Sequence, residues 1–432
     1  MTMKAKLLIF CLFLYALASC QQTTEQQPNI LSTSTPVKQG FSSSFEGQLD
    51  QHIQKAIDAD VIPGGTFLLA RNGGIVYHKS FGESGPNQPY TNESIYRIAS
   101  MTKAITSVAM MQLVEAGKVN LDDPVYEYIP SFSNQVVLDE FNPADSSYTT
   151  VPVDRPVTIR HLMTHTSGIV YGSFNPGKLM AVYQKYQMNV GFSHEEWTTQ
   201  EWIDRLAKVP LAHQPGDRFS YGLNMDVMGR IIEVVSGQKL NIYFKEKIFD
   251  VVGMPDTHFY LPESLHTRLT PVMVKVGESF KNTNELGMSA FTDYPKQGPR
   301  DFFAGGAGLS STAIDYARFI QTLVMGGGKL LKKETLNEMT RDQLPTVIND
   351  YENYPKGPDG SFALGFQLYQ DKPTKRSPKS PGTYEWSGYF NTKFFIDPQE
   401  QMVFVGMTQI SGFSGESFWT EMYELIYDGL KE

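Results

Sequence analysis

Strand signals in this chain collect at its two ends, with a long helical stretch between them. Near the N-terminus, "TFLLARNG" and "GIVYHKSFG" are strand-like runs joined at Asn72-Gly73-Gly74, which reads as a hairpin. Near the C-terminus, "FALGFQLYQ", "YEWSGYF", "TKFFIDP" and "QMVFVGMTQ" read as further strands, with a second hairpin turn around Asp397-Pro398-Gln399-Glu400. The segments between carry helical periodicity, among them "MTKAITSVAMMQLVEAGK", "TTQEWIDRLAKV", "NMDVMGRIIEVVSG" and "STAIDYARFIQTLVMGGG". Phe45, Leu49, Ile53 and Ile57 recur at spacing four, which predicts a helix closed by Pro63-Gly64. "SFWTEMYELIYDGLKE" reads as a closing amphipathic helix. This layout predicts an α+β fold. N- and C-terminal strands share one antiparallel sheet flanked by helices, and a mainly helical insertion fills roughly residues 110–350. No internal repeat is evident.

The first twenty residues belong to a different kind of segment. Lys4 and Lys6 precede the apolar run "LLIFCLFLYALA", which is short for a permanent membrane helix. Residues 1–19 are expected to be a secretory signal peptide. "LASC", Leu17 to Cys20, resembles a bacterial lipobox, which implies cleavage before Cys20 and lipidation of its thiol. Residues 20–40, rich in Gln, Thr and Ser, then read as a flexible tether, and 41–432 as the folded body. Gln21, rather than an Asp, after Cys20 resembles outer-membrane lipoproteins. The expected product is an exported protein held at a membrane by a lipid anchor. The chain has two cysteines, Cys11 and Cys20. With one inside the signal and the other lipidated, no disulfide, thiolate metal site or cysteine nucleophile is expected. The net charge of −9, without a basic run, argues against a nucleic-acid partner.

"IASMTKAIT" places Ser100 and Lys103 one turn apart on a helix expected to begin near the serine. The spacing lets the amine approach the hydroxyl. Backbone N–H groups at a helix start favour negative charge developing there. The motif is short, and the chain carries a second copy, Ser236 to Lys239 in "SGQK". There Gly237 suits a helix C-terminal cap, which makes Lys239 a solvated charge near a helix end. Other residues distinguish the first copy. Tyr221 follows a Pro-Gly turn and precedes a helix, where its hydroxyl can face a site. Trp386-Ser387-Gly388 lies on a strand, and its glycine lets a substrate approach the backbone. Gly305-Gly306-Ala307-Gly308 forms a tight turn, beside the site or only connecting.

With these residues in order, the chain resembles the serine β-lactamase and penicillin-binding superfamily, in its class C-like branch with the family VIII carboxylesterases. "YRIASMTKAITSVAMMQLVEAGKVNLDDPV", "IRHLMTHTSGI", "PGDRFSYG", "GGAGLSSTAIDYARF" and "WSGYFNTKFFIDP" match in the expected order, over roughly residues 45 to 430. The resemblance implies that Ser100 is acylated and that Lys103 and Tyr221 share the base work, without deciding which takes the serine proton. It implies an oxyanion hole from the backbone N–H groups of Ser100 and Tyr389, a substrate wall at Trp386, Ser387 and Gly388, and no cofactor.

Two positions depart from the β-lactamase pattern. Leu223 stands where Tyr-x-Asn has its asparagine, with Asn224 one further on. Trp386 stands where Lys-Thr-Gly has its lysine. Trp cannot supply the ammonium that binds a carboxylate; it supplies an apolar wall. The expected substrate is therefore a small ester or amide. A β-lactamase or D,D-peptidase is the rival within enzymes. A non-catalytic sensor of peptidoglycan or acyl ligands is the rival outside them.

Other chemistries find less support. No Gly-x-Ser-x-Gly occurs: "GFSG" is followed by Glu416. His161 and His165 are four apart, but no zincin glutamate lies between them and no third ligand is apparent, so no metal is expected. His165 reads as part of a structural loop. Asp122-Asp123 and Glu195-Glu196 read as solvated faces.

Overall fold

The computed structural model describes residues 30–430, except 86, 176, 189–195, 289–293, 299, 354–360, 375–376 and 413–414. The signal segment, Cys20 and Glu195 lie outside the described residues.

The two ends of the chain do meet. Among the described residues, eight strands form the main sheet: β1 (Ser32–Thr33), β2 (Gly64–Arg71), β3 (Gly74–Gly82), β4 (Ser361–Phe362), β5 (Gln367–Leu368), β6 (Tyr384–Gly388), β7 (Thr392–Asp397) and β8 (Met402–Met407). Their spatial order is β1-β3-β2-β8-β7-β6-β5-β4. All pairs are antiparallel except β1 with β3. The join between the ends is β2 on β8, with Leu69 opposite Phe404 and Leu68 opposite Val405.

The central strands β2, β7 and β8 are buried on both faces, which explains their nearly continuous apolar runs. Phe67, Leu69, Phe395 and Phe404 point to one face and pack with Phe45, Leu49 and Ile53 of helix α1 (Phe45–Asp58) and with Trp419 and Met422 of the closing helix. Leu68, Ala70, Phe394, Ile396, Val403 and Val405 point to the other face and join the large helical core. The alternation follows from the two-residue period of a strand. Near the middle of the helical side runs helix α2 (Thr102–Glu115), buried at every position from Thr102 to Met111. Its buried positions are mostly apolar, as a core helix demands, and Lys103, Thr106 and Ser107 are polar exceptions. Helices α3 (Asn224–Ser236) and α4 (Ala313–Val324) pack nearby, and α5 (Glu416–Asp428) covers the sheet's far face beside α1. The fold is α+β, as its strand pattern predicts.

Three details differ from the sequence reading. The tether is expected to reach residue 40, but from Ser32 the chain is already part of the body. Ser32 and Thr33 pair with Gly74 and Ile75, and Arg71 Nη1 donates to Gln39 O at 2.8 Å. A polar segment can bind a sheet edge through its backbone alone, which composition does not reveal. Second, the helical insertion contains strands: the hairpin Val136–Asn142 with Ser147–Pro152, and Met273–Val276 with Ser279–Asn282. Much of that first hairpin is exposed, so apolar alternation is faint there. Third, α2 begins at Thr102. Ser100 lies just before it, in a one-turn 3-10 helix, Ala99–Met101.

Candidate active site

The turn carrying Ser100 is held from several sides. Ala99 has φ 44°, a left-handed conformation that costs a residue with a Cβ on the order of 1–3 kcal/mol. Tertiary contacts hold the turn. Ile98 N–H donates to Leu309 O at 3.0 Å, Leu309 N–H to Thr102 Oγ1 at 3.1 Å, and Tyr316 O–H to Met101 O at 2.9 Å. On the sheet side, the end of β6 closes on the same turn. A Cβ on Gly388 would stand 2.3 Å from Ile98 O, closer than any side chain permits. Only glycine allows this approach, and it brings the Gly388–Tyr389 backbone beside the serine turn.

Lys103 projects back from the first turn of α2 and is 1% exposed. Its Nζ donates to Ser100 Oγ at 3.1 Å, Tyr171 O–H at 3.2 Å and Gly306 O at 2.6 Å. Three acceptors surround the amine, so its hydrogen bonds are satisfied in the core. Tyr221 reaches the same serine from the loop before α3, its O–H donating to Ser100 Oγ at 2.7 Å. Lys103 Nζ also lies 4.8 Å from the centre of the Tyr221 ring. Ser100, Lys103 and Tyr221 are thus brought together on one oxygen.

The glycine turn is beside the site. Gly306 O takes the short bond from Lys103, Gly305 O accepts from Thr106 Oγ1 at 2.6 Å, and Gly306 N–H donates to Asp226 Oδ1 at 3.1 Å. A Cβ at Gly306 would lie 2.5 Å from Asp226 Oδ2. Asp226 is a buried carboxylic acid on α3, and its Oδ2 has no hydrogen-bond partner. Burial pushes its pKa up to about 6, with the Lys103 charge and the Gly306 N–H pulling the other way. Asp226 and Tyr171 were not singled out from sequence. One acid inside the apolar run "NMDVMGRII" is a usable signal for the first; nothing local marks the second.

Asn224 takes no part at the serine. It is buried, donates to His165 Nδ1 at 2.9 Å and Ile169 O at 3.2 Å, and accepts from Ser167 Oγ at 2.5 Å. It pins the loop on which His165 sits. The His165 ring packs on Tyr221 at 4.8 Å between centroids. Burial and then the Lys103 charge hold its pKa well below the usual histidine range, so it is neutral. Its contacts position the Tyr221 ring. His161 caps its own short helix, Ile159–Met163, through a reciprocal bond with Thr158. Asp122 forms an ion pair with Arg160, and Asp123 accepts from Tyr128 O–H. In the second Ser-x-x-Lys, Gly237 closes α3 with φ 70° and Lys239 pairs with Asp301.

Trp386 is half-buried and packs on Tyr221 at 5.4 Å and edge-on to Phe362 at 5.5 Å. It forms an apolar wall beside the serine's tyrosine. Ser387 is exposed and makes no hydrogen bond to Ser100, Lys103 or Tyr221. Tyr389 is 45% exposed.

The chain is similar to known proteins over most of its length. The family model described as Beta-lactamase matches residues 49–423. Lovastatin esterase of Penicillium rubens is 28% identical over 384 residues, covering 84% of this chain and 92% of the relative. Esterase EstB of Burkholderia gladioli is 26% identical over 366 residues, covering 82% and 88%. The solved structure of EstCE1, described as a hydrolase with promiscuous acyltransferase activity, superposes with a TM-score of 0.76 at 24% identity, over 89% of this chain and 98% of that one.

Proposed function

The chain belongs to the beta-lactamase family, whose members similar to it include hydrolases, and we propose that it is a serine hydrolase cleaving small uncharged esters through an acyl-enzyme. The observation that carries this reading is the convergence of Lys103 Nζ and Tyr221 O–H on Ser100 Oγ, at 3.1 and 2.7 Å. In the reactive state the Lys103–Tyr221 pair is one proton short of full protonation, so as Ser100 Oγ attacks the carbonyl carbon its proton fills that place on the pair. The carbonyl oxygen takes up negative charge against the backbone N–H groups of Ser100 and Tyr389. Each such donor typically stabilises the transition state by about 3 kcal/mol. The alcohol leaves with the proton held by the pair, and water repeats the steps to free the acid. The absence of a lysine at position 386 disfavours a substrate bound through its carboxylate. The two esterase relatives support the same choice.

The test is turnover of a p-nitrophenyl ester, nitrocefin and a D-Ala-D-Ala peptide by wild type and Ser100→Ala. Ester hydrolysis that depends on Ser100, with an acyl adduct by intact mass, supports the reading. Fast nitrocefin hydrolysis overturns the argument from Trp386. No adduct from any of the three leaves a sensor. We also propose that Cys20 is lipidated and tethers the body to a membrane; Cys20→Ser protein that stays in the membrane fraction rules this out.

A further inference from the structure

Five aromatic rings form an arc around Ser100. Trp386 packs on Tyr221 at 5.4 Å, Tyr221 on Tyr171 at 5.3 Å, and Tyr171 on Phe174 at 5.1 Å. Phe174 lies 6.4 Å from Tyr389 with the ring planes within 16° of parallel. From Tyr389 the backbone runs back through Gly388 and Ser387 to Trp386. Tyr221 and Tyr171 hold the Ser100–Lys103 pair, and Trp386 packs behind Tyr221. The last two rings have no such role, and both face water: Phe174 is 51% exposed and Tyr389 45%.

Their backbones are anchored. Phe174 ends the short turn Gly172–Phe174, and the next residue, Asn175, donates from Nδ2 to Tyr171 O at 2.7 Å. Tyr389 stands between Gly388, wedged on Ile98, and Phe390, which is 1% exposed and edge-on to it at 5.2 Å. Two large rings are therefore held side by side in water at the mouth of the site. A fully covered aromatic residue buries on the order of 150–250 Å², and about half of that is still open on each.

The proposed reaction orients the substrate relative to them. The leaving oxygen must receive its proton from the Lys103–Tyr221 side. The acyl oxygen turns toward the N–H of Tyr389. The exposed rings that the acyl group can then cover are those of Tyr389 itself and its neighbour Phe174.

We propose that Phe174 and Tyr389 form a clamp for the acyl group and select esters of bulky, apolar acids over acetate esters. The proposal rests on the ester-hydrolase reading above and names its substrate class. Both present apolar ring faces, and the nearby amine of Lys103 is already engaged with Ser100, Tyr171 and Gly306.

The experiment compares kcat/KM for p-nitrophenyl cyclohexanecarboxylate and p-nitrophenyl acetate. Wild type should favour the cyclohexanecarboxylate. Phe174→Ala and Tyr389→Ala should each lower that ratio about tenfold, the scale on which apolar pockets discriminate. Phe174→Tyr should return it to within twofold of wild type. Both side chains are exposed, so a melting curve close to wild type is expected for each variant. An unchanged ratio in both alanine variants overturns the clamp and leaves the hydrolase reading standing. So does an equal loss on both esters, which points to the leaving-group side. A wild type that cleaves neither ester overturns both.

Discussion

Lys103 gives its shortest hydrogen bond, 2.6 Å, to the carbonyl of Gly306 and a longer one, 3.1 Å, to Ser100. The amine is therefore held by the glycine turn and offered to the serine. Lys103→Met should lower kcat for an ester on the order of 10³-fold, within the usual range for losing an acid–base group. It should also cost about 1–3 kcal/mol of stability, because Gly306 O is left buried without its donor. Lys103→Arg should not rescue turnover, since a planar guanidinium cannot meet three acceptors arranged around an ammonium. Ester kinetics and urea unfolding of the two variants check this; wild-type kcat in Lys103→Arg would contradict it.

The contact of Gly388 with Ile98 gives a second prediction. A Cβ at 388 falls 2.3 Å from Ile98 O and 2.2 Å from Thr392 Oγ1. The backbone at Ile98 has little freedom, since it leads into the strained residue Ala99. Gly388→Ala must push β6 and the serine turn apart. A displacement near 1 Å at reacting groups costs about 10²-fold in rate. The expected result is a fall of that order in kcat, with the protein still folded by circular dichroism. Unaltered kcat would show that β6 does not set the serine's geometry.

How far the sequence foretells this site depends on how far apart its partners lie. Ser100 and Lys103 are three residues apart, one on the turn that leads into α2 and the other in its first turn, so spacing alone brings them together. Tyr221 is 121 residues from Ser100 and became legible through its place in an ordered set of motifs. Gly306 and Asp226 are 80 residues apart, and their contact exists only once α3 packs under the glycine turn. Tyr171 sits on a loop with no periodicity to place it. Residues 32–40 fail in the opposite sense: their composition is that of a linker, and their order comes from the unpaired edge of β3. The centre of the sheet is legible because strands buried on both faces are largely apolar; the exposed hairpin at 136–152 is not, because an exposed strand has no such signature.

Trp386 gives a third prediction, on specificity. It stands where a lysine would offer an ammonium to an anionic substrate, and it packs on Tyr221 and Phe362. Trp386→Lys should raise the rate of Ser100 acylation by a penicillin about tenfold, the worth of one charge-assisted hydrogen bond. The same change removes the apolar wall and should lower kcat/KM for a neutral ester by a similar factor. Opposite movement of the two rates is the informative result. If both fall together, the variant has only damaged the pocket.

Asp226 gives the last, through pH. Burial holds its pKa near 6, above the ordinary carboxylate value of 3.8, against the pull of Lys103 and the Gly306 N–H. The folded state therefore binds this proton more tightly than the unfolded chain does. The stability it contributes is fully present below pH 3.8 and is lost as pH rises through 6. A gap of this size corresponds to on the order of 3 kcal/mol. Asp226→Asn keeps an oxygen for the Gly306 N–H and cannot ionise. Its stability relative to wild type should therefore increase between pH 4 and pH 7 and then level off. Parallel urea titrations at pH 4, 5, 6 and 7 read the difference directly, with other titrating groups cancelling between the two proteins. A difference that does not change with pH would mean that Asp226 ionises in the fold as easily as it does in water. In that case the charge it places opposite Lys103 would be permanent.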